Sequence, residues 1–350
     1  MKKTVAVLFG GESKEHEISL QSSISIINAI DKKKYNIILI GVEKNGKIGI
    51  RSINNYILFK YNINYIKLAP AVSYLYIIPG KNNYQFYSLK NKKMLKIDVI
   101  FSILHGSNGE NGAFQGLFNT IYTPFVGSNV LSSSICMDKD ISKRILSTFG
   151  ISVVPSITLY YENYKKKINK IINNIKFPCC IKPSNQGSSF GVNVANDFIS
   201  LKESIDVAFL YSKKILIEPF IQGREIEVGV LGNRNVISSV CGEIKFKKIF
   251  YDYKEKYISK KTKIIIPAKI SNEISNKIKK IAKLAFISLE CSIMARVDFF
   301  LTKNKKIFLN EINTIPGFTK NSIYPKLWSK SGLDFKSLIN KLILLTIYKK

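Results

Sequence analysis

Long apolar runs are missing from this chain. Lysine or asparagine interrupts every hydrophobic stretch well short of the roughly 20 residues that span a bilayer, so no membrane-spanning helix is expected. The first residues, Met1 to Gly10, are too short for the apolar core of a signal peptide and break at Gly10-Gly11-Glu12, so they read as a first β-strand of a soluble, cytoplasmic protein. Cysteine is sparse: Cys136, Cys179, Cys180, Cys241 and Cys291 form an odd set without metal-ligand spacing, which suits buried thiols in a reducing cytosol. Arginine is confined to Arg51, Arg144, Arg224, Arg234 and Arg296. The net charge of +30 is therefore carried by lysine, spread along the whole chain among Ile, Asn and Tyr rather than clustered. That pattern argues against a nucleic-acid-binding protein, which would lean on arginine's bidentate fork.

What is present is alternation. Apolar runs at Thr4 to Phe9, Tyr35 to Val42 and Ile97 to Leu104 alternate with helical patterning such as Leu20, Ser23, Ile24, Ile27 and Ile30, which predicts a βαβ-type first unit. The stretch 43–95 is rich in Asn, Tyr and Lys and predicts short strands or hairpins. A helix is expected from Met137 to Gly150, a lysine-rich one from Glu162 to Ile175, and a long one from Asn272 to Leu289. Strands are expected at Cys179 to Lys182, Ile215 to Glu218, Glu225 to Leu231 and Val236 to Phe246. At 350 residues the chain divides into two or three domains, read as 1–135, 136–221 and 222–350.

Two patterns carry chemistry. Arg296-Val297-Asp298 and Asn310-Glu311-Ile312-Asn313 read as two strands of a hairpin turning at Asn304-Lys305. Side chains alternate along a strand, so Arg296, Asp298, Glu311 and Asn313 fall on one face with Asp298 opposite Glu311. These oxygen groups suit Mg²⁺; the alternative is a solvated polar face on an edge hairpin. The second pattern is Lys182 followed by a glycine and serine loop through Gly191, whose backbone N–H groups would cradle phosphate, although a plain hairpin turn reads equally well. Glu218 and Glu225 are candidate nucleotide contacts or ordinary surface carboxylates. Glu15 is either functional or an acidic residue complementing a helix start.

Taken in order, the motifs Gly10 to Ser19, His105 to Glu110, Lys182 to Gly191, Tyr251 to Tyr257 and Glu311 to Gly317 resemble the D-alanine:D-alanine ligase family of ATP-grasp enzymes over nearly the whole chain. The resemblance implies an α/β fold, α+β in its ATP-binding part, with an N-terminal βαβ domain that binds substrate. It implies that Lys139, Lys182, Glu218 and Glu225 contact ATP, and that Asp298, Glu311 and Asn313 hold two Mg²⁺ (or Mn²⁺) ions, Glu311 bridging them. Glu15 would take the ammonium of the first D-alanine, with Ser188 and Tyr257 bonded to it. His105 would shape that pocket, and Lys256 and Ser322 would position the second carboxylate. Arg296 and the Gly317 backbone N–H would stabilise the oxyanion. The segment Tyr251 to Tyr257 would close over the reactants. Asn111 departs from the family, which more often has Asp there. A homodimer built on the N-terminal domain is also implied. Rival readings are a ligase using D-lactate or D-serine as second substrate, another ATP-grasp ligase or carboxylase, and a lysine-rich nucleic-acid-binding protein.

Overall fold

The computed structural model describes residues 2–60, 62, 64–81, 84–171, 175–245, 263–319 and 321–348. The first unit is built on Lys3–Gly10, whose residues are apolar on both faces: Val5, Val7 and Phe9 enter one core, while Ala6 and Leu8 enter another. Such a strand is stable only when covered on both sides, which is the parallel-sheet situation. Lys3–Gly10 indeed pairs in parallel with Tyr35–Val42 on one edge and Val99–Ser102 on the other. The sheet continues through Ile48–Ile50, Ser73–Ile77, Phe86–Ser88 and Lys93–Leu95, joined antiparallel. These are the short strands predicted for 43–95.

The turn leaving the first strand needs glycine. Gly10 and Gly11 both have φ +99°, and a Cβ on Gly10 would lie 2.2 Å from the Val42 carbonyl oxygen. The chain then enters the helix His16–Ala29, which begins four residues before Leu20, the first of the apolar positions read from the sequence.

The second unit is a four-stranded sheet in the order Ile157–Tyr160, Lys214–Pro219, Cys179–Pro183 and Asn193–Ala195, backed by Tyr164–Ile171 and Phe198–Phe209. Asp197 caps the latter, its carboxylate accepting the Ser200 N–H at 2.8 Å. The third is a five-stranded antiparallel sheet, Lys263–Ile265, Ile237–Lys245, Gly223–Gly232, Ile293–Thr302 and Ile307–Asn313, covered by Asn272–Ser288. Lys139–Thr148 starts at Asp138, whose side chain accepts from the backbone N–H groups of Asp140 and Ile141. Its Leu146 reaches the core of the five-stranded sheet.

The final helix, Phe335–Ile347, does not join that core. Leu338, Ile339, Leu342 and Ile343 pack with Val5, Val7, Phe9 and Phe101 beneath the seven-stranded sheet. The Phe318 ring, 6.0 Å from that of Phe101 and edge-on to it, seals the same layer. Residues within 315–347 thus complete the core of the first unit.

Candidate active site

The two antiparallel sheets face each other across a cavity of about 950 Å³. Lys139, Lys182, Ser188, Glu218, Glu225, Arg296, Asp298 and Glu311 all line it. The sequence therefore spreads these candidates over more than 170 positions and the fold brings them to one wall-to-wall space.

One wall carries a buried ion cluster. Glu218, next to last in the strand Lys214–Pro219, is at 3% exposure, where an unpaired carboxylate would be costly. Lys182, on the neighbouring antiparallel strand, approaches one of its oxygens at 2.6 Å, and Lys143 takes the other. Lys143 also donates to the Val154 carbonyl at 3.1 Å. Burial, aided by the Lys182 charge, pushes the Lys143 ammonium down to about 8. Lys182 moves the other way: burial lowers it, but Glu218, Cys180 and Glu311 together outweigh burial and raise it. Sequence reasoning missed Lys143. The available signal was its spacing from Lys139, since residues four apart on a helix share a face. Lys139 itself donates to the Gln186 carbonyl at 2.7 Å and stands 3.4 Å from Glu311.

The opposite wall is the hairpin. Its turn joins Thr302 and Lys306, and Asp298 pairs with Glu311 while Arg296 pairs with Asn313. On the turn side of these pairs the register shifts between Asp298 and Phe299, because Phe299 pairs with Leu309 and leaves Asn310 as an extra residue. The bulge lets Ile307, Leu309 and Ile312 all reach the core even though the last interval is odd. It also turns Asn310 toward the site, where its oxygen accepts from Lys182 Nζ at 3.2 Å. Asn310 was another omission, although the broken alternation of apolar residues was there to read.

Arg296 is held in a fixed orientation. Its Nε and Nη2 donate to the two Asp298 oxygens at 2.7 and 2.6 Å, and Glu227 lies 3.0 Å away. Burial opposes its charge, but Asp298 and Glu227 outweigh it and hold the guanidinium well above its ordinary value. The Asn313 oxygen accepts the Ile315 N–H at 2.9 Å, and Asn313 is not among the residues lining the cavity.

The serine loop links this cavity to the first unit. Ser188 Oγ donates to Glu15, the N-cap residue of His16–Ala29, in a short hydrogen bond. His105 lies 3.4 Å from both Glu110 and Ser22 and lines a separate cavity of about 90 Å³ with Gly11 and Glu12. Burial raises the Glu110 carboxyl, its hydrogen bond to His105 opposes this, and the Glu15 charge adds to the rise. His16, the first residue of its helix, donates from Nδ1 to the Gly11 carbonyl at 2.6 Å, and burial lowers its pKa.

Gly317 and Ser322 come together after the hairpin: a Cβ on Gly317 would stand 2.8 Å from Ser322 Oγ, which accepts the Thr319 N–H at 3.0 Å. Neither lines the large cavity, nor do Glu15 and His105. Lys256, Tyr257 and the rest of Tyr251 to Tyr257 lie outside the described residues.

The chain matches two family profiles, "D-ala D-ala ligase N-terminus" over residues 4–128 and "D-ala D-ala ligase C-terminus" over 145–344. It is 45% identical to a D-alanine–D-alanine ligase of Sodalis glossinidius, covering 98% of this chain and 95% of that protein. Identity is 43% to D-alanine–D-alanine ligase A of Escherichia coli K12, covering 99% and 96%. Among solved structures it is similar to the VanG D-Ala:D-Ser ligase from Enterococcus faecalis, with TM-score 0.87, 35% identity and coverage of 99% and 100%. The D-alanine-D-alanine ligase from Coxiella burnetii gives TM-score 0.86 and 34% identity, covering 99% and 94%.

Proposed function

The chain belongs to the D-alanine:D-alanine ligase family, and from that premise we propose that it joins two D-alanine molecules into D-alanyl-D-alanine with conversion of ATP to ADP and phosphate. The fold is ATP-grasp. The product belongs to peptidoglycan precursor synthesis. The observation that carries the reading is the pairing of Asp298 with Glu311 on a hairpin facing Lys139 and Lys182 across the cavity.

In this mechanism the carboxylate of the first D-alanine attacks the γ-phosphorus of ATP, ADP leaves, and an acyl phosphate forms. Glu15 takes the ammonium of that amino acid and Ser188 holds the Glu15 carboxylate. Lys139 and Lys182 neutralise phosphate charge, while Glu218 and Glu225 contact the rest of the nucleotide. The free amine of the second D-alanine, positioned through its carboxylate by Ser322 and Lys256, then attacks the acyl carbon. Arg296 and the Gly317 N–H stabilise the oxyanion that develops there, and phosphate departs as the carbonyl re-forms. No covalent bond to the protein is required, so orientation and electrostatics carry the rate. Tyr257 completes the contact with Glu15, and the segment around it excludes water.

The donor set fits a hard cation. Asp298 and Glu311 are oxygen ligands on facing strands, and among the described residues no trio of His, Cys, Asp or Glu is arranged to hold a metal by itself. Magnesium is typically bound this way, by one or two carboxylates completed with substrate phosphates and water. Asp298, Glu311 and Asn313 would hold two Mg²⁺ or Mn²⁺ ions, with Glu311 shared. Bound there, the ions would screen the phosphate charge that the lysines alone leave uncompensated.

No helix among the described residues is long and apolar enough to cross a membrane. We place the enzyme in the cytoplasm, where ATP is available, as a homodimer formed through its N-terminal domain; a monomeric mass in solution overturns the latter. The reaction is tested by phosphate release from ATP and Mg²⁺ with D-alanine, L-alanine, and D-alanine mixed with D-serine or D-lactate, with product masses determined. D-alanine-dependent release with the D-alanyl-D-alanine mass supports the proposal. A preferred D-alanyl-D-serine product would move the second substrate toward that of the E. faecalis relative. No release from folded protein that binds ATP refutes the substrate assignment.

A further inference from the structure

We propose that Lys14 is a positioning residue which, by gripping the rings of Phe190 and Tyr211, fixes the serine loop against Glu15 and so shapes the first amino-acid pocket. The identity of that amino acid rests on the ligase reading; the grip itself does not. Lys14 Nζ lies 5.1 Å from the Phe190 ring centroid and 4.8 Å from that of Tyr211, within cation–π range of both. The two rings are stacked, 6.5 Å apart at 21°. Tyr211 also governs both ends of the loop. Its carbonyl accepts from Gln186 Nε2 at 3.0 Å, and its ring covers Gly191, where a Cβ would lie only 2.6 Å from Cδ2.

Between those anchors Ser188 and Ser189 have φ +50° and +58°, the left-handed region that serine disfavours. Two consecutive strained residues persist only where their surroundings over-determine them. The surroundings here are two adjacent residues of the first unit: Glu15 holds Ser188 and Lys14 holds Phe190. Without the Lys14 grip, the Ser188 hydroxyl is tied to Glu15 by one hydrogen bond on a loop that relaxes away from it.

The test compares Lys14→Met, Lys14→Arg and Phe190→Leu in the full-length enzyme by two readouts. Amide hydrogen exchange at Ser188 to Phe190, without substrates, is expected to quicken about three- to ten-fold in Lys14→Met and Phe190→Leu. The KM for the first D-alanine is expected to rise by a similar factor. Lys14→Arg restores both readouts, because a guanidinium also stacks on aromatic faces. Lys14→Met combined with Phe190→Leu costs less than the sum of the two single losses, the Tyr211 contact being all that Lys14 has left to lose. Unchanged exchange in Lys14→Met, equal damage in Lys14→Arg, or additive losses in the double variant overturn the proposal. If no amino acid supports turnover the ligase reading fails, while the exchange data still decide the grip.

Discussion

Replacing Lys143 with methionine removes one of two ammonium groups that share the Glu218 carboxylate, and the structure fixes the pH dependence of the result. Burial and the Lys182 charge lower the Lys143 pKa from 10.5 to about 8 in the folded chain. A lowered lysine pKa means that, between those two values, the unfolded chain binds more protons than the folded one. Stability contributed by this group therefore rises with pH across the window. Below pH 8 both states are protonated and the folded chain bears the whole penalty of the buried charge. That penalty is about 3 kcal/mol from the difference between the two values, and it is relieved as pH approaches 10.5. The parent and Lys143→Met are compared by urea unfolding at intervals from pH 7 to 10, both without nucleotide. The parent is expected to gain stability relative to the variant by ~2–3 kcal/mol over that range, the general effect of discharging a lysine-rich surface cancelling in the difference. A flat or falling difference curve refutes the buried-charge argument.

Arg296→Ala is expected to lower turnover by about 10²–10³ while changing ATP affinity little; equal losses in single-turnover rate and nucleotide binding would remove the oxyanion role. Glu311→Gln takes one carboxylate from the proposed metal pair, and the Mg²⁺ concentration for half-maximal activity should rise at least about ten-fold, measured by titrating Mg²⁺ at fixed ATP. Gly109→Ala places a methyl group 2.2 Å from the Leu104 carbonyl oxygen, a contact that only backbone movement relieves. A loss of about 1–3 kcal/mol in denaturant unfolding is expected.

A turn at Asn304-Lys305 and period-two patterning set Asp298 opposite Glu311, but the pairs beside the turn run one residue out of that register, and it is the extra residue Asn310 that brings Glu311 opposite Asp298. The same rule could not place Asn310, which the bulge turns toward Lys182. Lys139 was assigned only through the family resemblance, and Lys143 not at all, since only the tertiary fold shows that a lysine on an amphipathic helix meets a buried carboxylate. The Lys14 contact was equally hidden: its two rings are more than 175 residues away, and nothing local marks them. Among the helices, His16–Ala29 and Asn272–Ser288 were anticipated from apolar spacing. Phe335–Ile347 is as strongly apolar, but its partners lie in the first strand, a relation no window of sequence contains.

That last helix bears on how the molecule is made. One face of the first sheet, with Val5, Val7 and Phe9, is covered by Leu338, Ile339, Leu342 and Ile343. During synthesis the earliest strands leave the ribosome with that face covered only in part, by Leu20, Ile26 and Ile27 of His16–Ala29, and the cover stays incomplete until residue 347 has emerged. The four- and five-stranded sheets have their own cores and can form in the meantime. Nascent chains arrested before residue 335 should therefore expose an adhesive surface at their beginning rather than at their unfinished end, and that surface is where a chaperone would engage.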